Sequence, residues 1–362
     1  MLLAVLLHRD EGRAVRRNAL APAEQGHQLL GEFTGIKQAV QVGTEHIVLH
    51  AALGCAVCQC AEGHTLHLGA AGVDLISGQG RTRKGGGGHS GEILKRTDNS
   101  VRLIATDLDD DALLAATEKL KIYGDRFTAV KSNFKNFNEV LDNLGIGEID
   151  GVLLDLGVSS YQLDNRSRGF SYMGSAKLDM RMDKTQSYSA YDFINEASFD
   201  KLKYAFITYG EEKFAHKVAE NILKARALKP IETTDELVKI CDESIPPRFR
   251  DGHSAKKVFQ AVRIVVNEEL DGLEQAIRDM IKRLQKGGRI AIITFHSLED
   301  RIVKTVFKDL STACICDKRF PCVCGRKQII KEITRKPVTA SEQELAINSR
   351  SKCAKLRIAE KL

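Results

Sequence analysis

The sequence lacks the features that mark membrane, fibrous and disulfide-stapled proteins. Its longest apolar runs, such as residues 264–266 and 290–295, are far shorter than the roughly 20 residues that span a bilayer. With only six prolines among 362 residues, the composition excludes a collagen. The apolar residues 1–7 have no basic segment before them, which makes them a poor signal peptide. Nine cysteines, an odd number in a long chain, favour reduced thiols and a cytoplasmic protein over a secreted disulfide framework.

The composition is that of a folded protein with a basic end. It is 43% hydrophobic and 28% charged, which excludes a fully disordered chain, and the length suggests about two domains. Residues 300–362 hold fifteen Lys and Arg against seven Asp and Glu. This excess predicts a polyanion partner such as nucleic acid, although a solvated basic tail would look the same.

Residues 1–84 differ from the rest of the chain. They hold six of the ten histidines, one Phe and no Tyr, and show no sustained helical or strand periodicity. Their cluster of metal-ligand residue types comprises Cys55, Cys58, Cys60, His64 and His67. The cluster could bind zinc, but we favour a biased segment without a packed core. We expect 1–84 to be an atypical addition: disordered, a fusion, or a misread frame.

From residue 85 the pattern is that of an α/β protein. Apolar strands at 101–107, 127–130 and 149–155 alternate with helices at 110–123 and 134–144, which predicts a doubly wound, mostly parallel sheet. Predicted helices at 189–196, 199–209, 211–228 and 233–243 then form an all-helical insert. We predict one helix over 258–284, a strand at 289–295, a helix at 298–310 capped by Ser297, and strands at 328–334 and 354–359. The predicted domains are 85–162 and 256–362 for the sheet and 163–255 for the insert.

Three features lie where ligands bind in such sheets, beyond the carboxyl ends of the strands. They are the glycine run at 85–88 with His89, Asp107 after the first strand, and the acid and hydroxyls of 155–160. Taken singly, the glycines could be a linker and Asp107 a helix cap. Together they predict a nucleoside-bearing cofactor.

Long sequence strings carry a family resemblance. They include G-G-H-S at 87–90, D-L-G-V-S-S at 155–160, R-G-F-S-Y at 168–172, L-D-M-R-M-D at 178–183, Y-G-E-E at 209–212, F-Q-A-V-R-I at 259–264 and T-F-H-S-L-E-D-R-I-V-K at 294–304. Over about 85–362 the chain resembles the bacterial small-subunit ribosomal RNA methyltransferase H family. The resemblance implies a class I methyltransferase fold with a helical insert and S-adenosyl-L-methionine as methyl donor. It implies N4-methylation of a cytosine in 16S rRNA, at the decoding centre of the small ribosomal subunit.

The resemblance also implies the site residues. The cofactor contacts would be Gly87, Gly88, His89, Asp107, Phe134, Asp155 and Gln162. Asp107 would take the ribose hydroxyls and Phe134 would lie near the adenine. We expect Asp155 to be catalytic and to orient the amine or the cofactor. The candidates for holding the RNA are Arg168, Phe170, Tyr172, Arg181 and His296, each of which could instead be structural.

Two points stay open in the sequence. The pairs Cys314/Cys316 and Cys322/Cys324 could bind zinc with four thiolates, but C-x-C is less usual than C-x2-C, and we assign no metal to the site. The family begins its sheet with an apolar strand that leads into the glycines, whereas residues 81–86 are polar and basic. We therefore expect the first strand to be missing or replaced. The alternative function is a catalytically impaired RNA-binding homologue.

Overall fold

The computed structural model describes residues 2–8, 87–250, 252–317 and 319–362. The strands lie at Leu2–His8 (β1), Val101–Asp107 (β2), Phe127–Lys131 (β3), Ile149–Asp155 (β4), Leu284–Thr294 (β5), Ile330–Glu332 (β6), Val338–Thr339 (β7) and Lys355–Lys361 (β8). The α-helices of the described residues lie at Gly88–Arg96 (α1), Asp110–Leu120 (α2), Phe137–Asn143 (α3), Ser160–Asp164 (α4), Ala190–Glu196 (α5), Phe199–Thr208 (α6), Ala215–Leu228 (α7), Thr234–Ser244 (α8), Lys256–Asn267 (α9), Leu273–Arg283 (α10), Ser297–Ser311 (α11) and Glu342–Ile347 (α12). Within this described part, every helix is too short or too polar to cross a membrane.

The strands form one sheet in the order β3-β2-β1-β4-β5-β8-β6, with β7 paired to β8. β2 and β3 are parallel, as are β4 and β5, while β8 runs antiparallel to its neighbours β5 and β6. All strands except β1 and β8 therefore point the same way. The sheet confirms the predicted doubly wound, mostly parallel α/β class, and it brings the carboxyl ends of β2 and β4 to one edge.

The centre of the sheet is occupied by β1, which lies antiparallel to both β2 and β4. Leu3 and Val5 face one hydrophobic cluster and Ala4 and Leu6 the other, and none of the four is more than 4% exposed. A central strand must be apolar on both faces, and the sequence L-L-A-V-L-L meets that requirement. The sequence predicts a missing or replaced first strand and places residues 2–8 in the atypical segment. The structure instead uses those residues as the replacement.

The reversal of β1 changes how the chain reaches the glycine loop. Leu2 pairs with Asp155 at the end of β4, and His8 pairs with Val101 at the start of β2. β1 therefore ends at the edge opposite the glycine loop and does not lead directly into it. Residues 9–86 lie outside the described residues, as does the Cys55-to-His67 cluster proposed from the sequence.

Two hydrophobic clusters bury the two faces of the sheet. On one face, α3, α10 and α11 contribute residues such as Leu141, Ile277 and Val303. On the other face, α1 contributes Ile93 and Leu94. Burial on both faces explains why the central strands read as continuous apolar runs.

A third hydrophobic core belongs to the helical unit, α5 to α9. Phe206 and Val262 are fully buried in it, so α9 packs with the insert although the sequence analysis ended the insert at residue 255. The single helix predicted over 258–284 is wrong, because the chain turns between α9 and α10. Glu268 (φ 48°) and Gly272 (φ 69°) adopt left-handed conformations there, which end one helix and start the next. The exact domain boundaries stay predictions.

Candidate functional site

A cavity of about 1000 Å³ opens at the carboxyl ends of β2 and β4. Its walls come from the glycine loop, the two strand ends, the helical unit and the C-terminal segment. Among the predicted cofactor contacts, those that line the cavity are Gly87, Gly88, His89, Asp107 and Asp155. The sheet thus brings together residues that are up to 68 positions apart in the sequence, at the edge where open α/β sheets bind ligands.

The glycine loop forms a close-fitting start to α1. Gly87 is the N-cap, with a left-handed φ of 67°, and a Cβ there would lie 3.0 Å from Leu120 Cδ1 and 3.2 Å from Ala116 Cβ. Glycine is therefore required at 87 by both conformation and space. A Cβ at Gly88 would meet no atom within 4 Å, so this residue borders open cavity. The first N–H groups of α1 can then face a ligand.

Asp107 ends β2 as a buried acid on the cavity wall. Its Oδ1 accepts a hydrogen bond from the backbone N–H of Asp109 at 3.0 Å. Burial raises the pKa of the Asp107 carboxyl above the ordinary value of an aspartate. A carboxylate at this strand end is placed to accept hydrogen bonds from a diol.

Asp155 ends β4 across the cavity from Asp107. Its Oδ2 lies 3.5 Å from His89 Nε2, which joins the strand end to the first turn of α1. Its Oδ1 is buried and has no hydrogen-bond partner among the described residues. Because an unsatisfied buried carboxylate oxygen is costly, the site fits a ligand that donates an N–H or O–H here.

Comparisons with known proteins place this chain in a family. The model of the MraW methylase family matches residues 82–362. The chain belongs to that family. A ribosomal RNA small subunit methyltransferase H of Clostridium botulinum (strain Loch Maree / Type A3) is 52% identical over 280 residues, 77% of this chain and 90% of the relative. Proteins of the same name from Finegoldia magna and Brevibacillus brevis are 52% and 50% identical over 282 and 281 residues, with the same shares covered.

These matches confirm the resemblance seen in the sequence strings, and the sheet is that of a class I methyltransferase. The matched region starts close to residue 85, where the composition of the chain changes. The central strand of the sheet, β1, lies before the region that matches the MraW methylase family.

Gln162 takes a different position from the predicted cofactor contact. It is 1% exposed and forms a capping box with Ser159 at the start of α4. Its Nε2 donates to Asp109 Oδ2 at 2.7 Å. Gln162 thus fixes the loop after β4 to the loop after β2, and it does not line the cavity. Its contact with the cofactor stays a prediction.

Phe134 also lies away from the cavity. It is 4% exposed and packs in the hydrophobic cluster on one face of the sheet with Phe137 and Ile104. A ring enclosed this way has no free face for an adenine in this conformation. Its contact with the cofactor stays a prediction.

Both arginines predicted to hold RNA have partners within the protein. Arg168 is buried and donates to Asp109 Oδ2 at 2.8 Å and to the carbonyls of Arg181 and Met182 at 2.9 and 3.1 Å. Arg181 is held by Asp179, with Nε 2.8 Å from Oδ1. The structural alternative fits both arginines, because their charged groups are already engaged.

His296 is the N-cap of α11, the role that was predicted for Ser297. Its Nδ1 accepts from the N–H of Glu299 at 3.4 Å, and its Nε2 lies 3.1 Å from Glu299 Oε1. Burial alone would raise the pKa of Glu299, but the adjacent His296 and the charge of Arg263 hold it below the ordinary value. The Ser297 hydroxyl instead donates to Glu211 Oε2 at 3.0 Å. His296 therefore organises the loop after β5.

Phe170 and Tyr172 are the RNA candidates that do line the cavity. Tyr172 is half-buried and stacks on His253, with ring centroids 4.5 Å apart, and its edge meets Phe259. Gly169 before them has a φ of 72°, and a Cβ there would lie 2.4 Å from the carbonyl oxygen of Lys177. The R-G-F-S-Y string thus turns tightly and places Tyr172 on the cavity wall, while the ring of Phe170, which is 5% exposed, packs in the helical core.

The sequence analysis did not assign roles to three polar residues of the site. Asp109 joins the loops through Gln162 and Arg168, as described above. Gln260 and Arg263 line the cavity from α9, one helical turn apart. Arg263 forms a bidentate pair with buried Glu269 at 2.8 and 2.9 Å. The spacing of the F-Q-A-V-R-I string was the signal for this helix face.

Proposed function

We propose that this chain transfers a methyl group from S-adenosyl-L-methionine to the N4 amine of a cytosine in 16S rRNA. The target lies at the decoding centre of the small ribosomal subunit, and the enzyme is cytoplasmic. The observation that carries the proposal is the cavity at the carboxyl ends of β2 and β4, lined by Gly87, Asp107 and Asp155, in a member of a methylase family. The names of the relatives support ribosomal RNA as substrate.

The residues of the cavity fit this cofactor. The space beside Gly88, where a Cβ would meet no atom within 4 Å, forms a cradle that a side chain would fill, and Asp107 would accept hydrogen bonds from the ribose hydroxyls. The orphaned Oδ1 of Asp155 has room for a donor from the cofactor or the amine. When bound, the cofactor supplies an electrophilic methyl group on a sulfonium.

The amine requires help from the protein because its lone pair is conjugated into the cytosine ring. Asp155 would accept a hydrogen bond from N4 and stabilise the positive charge that develops on it. The base must leave its stack to reach a site of this kind, and the half-buried Tyr172 offers a ring on the cavity wall against which it can lie. Alignment and charge stabilisation would then be the chain's own contribution.

One observation bears on the alternative, an impaired RNA-binding homologue. β1 fills the central slot but runs antiparallel, so it does not deliver the glycine loop as a parallel first strand would. Equilibrium binding of S-adenosyl-L-methionine to the intact chain separates the two functions. Binding in the micromolar range supports the enzyme, whereas RNA binding without cofactor binding supports the alternative.

The role of Asp155 is tested by Asp155→Ala and Asp155→Asn with unmethylated small ribosomal subunits as substrate. The matched control is Asp150→Asn, which alters an acid on the same strand away from the cavity. We expect turnover at saturating cofactor to fall by about 100-fold or more in the Asp155 variants, as with loss of other transition-state hydrogen bonds, and to persist in the control. Full turnover of Asp155→Ala at saturating cofactor would refute the orienting role.

A further inference from the structure

Four cysteines converge in the loop that joins α11 to β6. The loop contains Cys314, Cys316, Cys322 and Cys324, and their sulfur atoms all lie within 4.8 Å of one another. α11 starts at the cavity edge of the sheet and runs back along it, so the loop lies at the opposite edge. None of the described loop residues lines the cavity. This cluster is therefore separate from the site of methyl transfer.

The distances between the sulfurs match a tetrahedral metal site. The separations are 3.4 Å for Cys314–Cys322, 3.5 Å for Cys322–Cys324 and 3.8 Å for Cys324–Cys314. A zinc–sulfur bond of about 2.3 Å in a tetrahedron places neighbouring sulfurs about 3.8 Å apart. The thiols are thus already gathered at nearly the spacing that one ion needs.

The loop has no hydrophobic core to explain this convergence. None of the described residues from 312 to 329 is buried, and the apolar side chains of Ile315, Phe320 and Val323 are 68%, 69% and 88% exposed. Its two ends are tied together by Arg326, which bonds to the carbonyl of Thr312 at 3.0 Å and pairs with Asp309. Short segments without a core are commonly held by a metal or by disulfides.

The backbone around the sulfurs suits thiolates. The N–H of Cys316 donates to Cys314 Sγ at 3.4 Å. Donors of this kind stabilise negative charge on sulfur, as a metal–thiolate site requires.

We propose that Cys314, Cys316, Cys322 and Cys324 form a structural zinc site that fixes this loop on the far edge of the sheet. Four thiolates select zinc among the common cellular divalent cations, and a closed four-ligand set leaves no open position for catalysis. The site stands independently of the proposed methyl transfer.

The test begins with metal content of the full chain purified under reducing conditions, measured by elemental analysis. We expect about one zinc ion per chain, bound by sulfur alone at about 2.3 Å in X-ray absorption. The double variant Cys322→Ser/Cys324→Ser should lose the ion. Cys353→Ser, which removes an exposed cysteine outside the cluster, should keep it.

A second control separates this cluster from the one in residues 55–67. The triple variant Cys55→Ser/Cys58→Ser/Cys60→Ser should retain the ion. If the double variant does not fold, the test is to replace the metal by cobalt in the unaltered chain. Cobalt bound by four thiolates in a tetrahedron gives intense absorption bands, including sulfur-to-metal charge-transfer bands. Absence of stoichiometric metal, nitrogen ligands in the absorption data, or metal that survives in the double variant would overturn the proposal.

Discussion

Truncating Leu3 to alanine should strongly destabilise the sheet domain. Leu3 is 1% exposed, lies in the central strand and pairs with Thr106 and Leu154 on its two neighbours. Leu→Ala at such a site removes apolar contacts and leaves a cavity, which costs about 2–5 kcal/mol. That is a large share of the roughly 5–15 kcal/mol by which a domain is stable. The matched control, Leu114→Ala at a position 73% exposed, should stay within about 0.5 kcal/mol.

The free energy of unfolding can be measured by urea titration with far-ultraviolet circular dichroism, since the chain has no tryptophan. Hydrogen exchange of the β2 and β4 amides localises the effect, because these strands pair with β1. If Leu3→Ala behaves like Leu114→Ala, and these amides keep their protection, β1 is not part of the core and the account of the sheet is wrong.

The direction of β1 has its own test. Ala4 lies opposite Ala105 in the antiparallel register. Cysteines placed at both positions should form a disulfide on mild oxidation, since directly opposed residues are about 4.5–5.5 Å apart. The control pair Ala4→Cys/Leu103→Cys shifts one partner by two residues on the same face and should cross-link poorly. Equal yields, identified by peptide mapping, would contradict the register.

Further predictions concern the cavity and one ion pair. Asp107→Asn should weaken S-adenosyl-L-methionine binding about 10–150-fold by calorimetry, the value of a charged hydrogen bond, without loss of secondary structure. Because burial raises the pKa of Asp107, affinity should fall on acidification at a higher pH than an ordinary aspartate would give. Tyr172→Ala should lower kcat/KM for the ribosomal subunit about 5–150-fold by loss of stacking, while cofactor affinity stays constant. Asp300→Asn should cost about 3–5 kcal/mol in urea titrations, because it strands the buried guanidinium of Arg357, whose Nε lies 2.7 Å from Asp300. Although burial opposes it, Arg357 holds the pKa of Asp300 below normal, so this stabilisation is complete above about pH 4 and is lost as pH falls through the lowered value.

Local periodicity was sufficient to predict most of the fold. The alternation of apolar strands and amphipathic helices after residue 100 predicted β2 to β4 in order, and the four helices of the insert were predicted within a few residues. The strand-end acids Asp107 and Asp155 could be predicted to share an edge because parallel strands direct their carboxyl ends to one side.

The parts of the fold and of the site that could not be predicted from the sequence depend on contacts between distant residues. Nothing local in residues 2–8 shows that they pair with β2, about 100 positions away, and with β4, about 150 positions away, or that they do so in reverse. The buried links from Asp109 to Gln162 and Arg168 likewise depend on loops that meet only in the folded chain. The resemblance implied a ligand contact for Gln162 and Arg168, and the structure adds a packing contact for each that the sequence did not predict.

The most direct test of the central claim is transfer of labelled methyl from S-adenosyl-L-methionine to unmethylated small ribosomal subunits, followed by nucleoside analysis of the product. The account predicts N4-methylcytidine at a single site of the 16S rRNA with the intact chain, and its loss with Asp155→Ala. No incorporation by a folded, cofactor-saturated chain, or label on a different base, would contradict it.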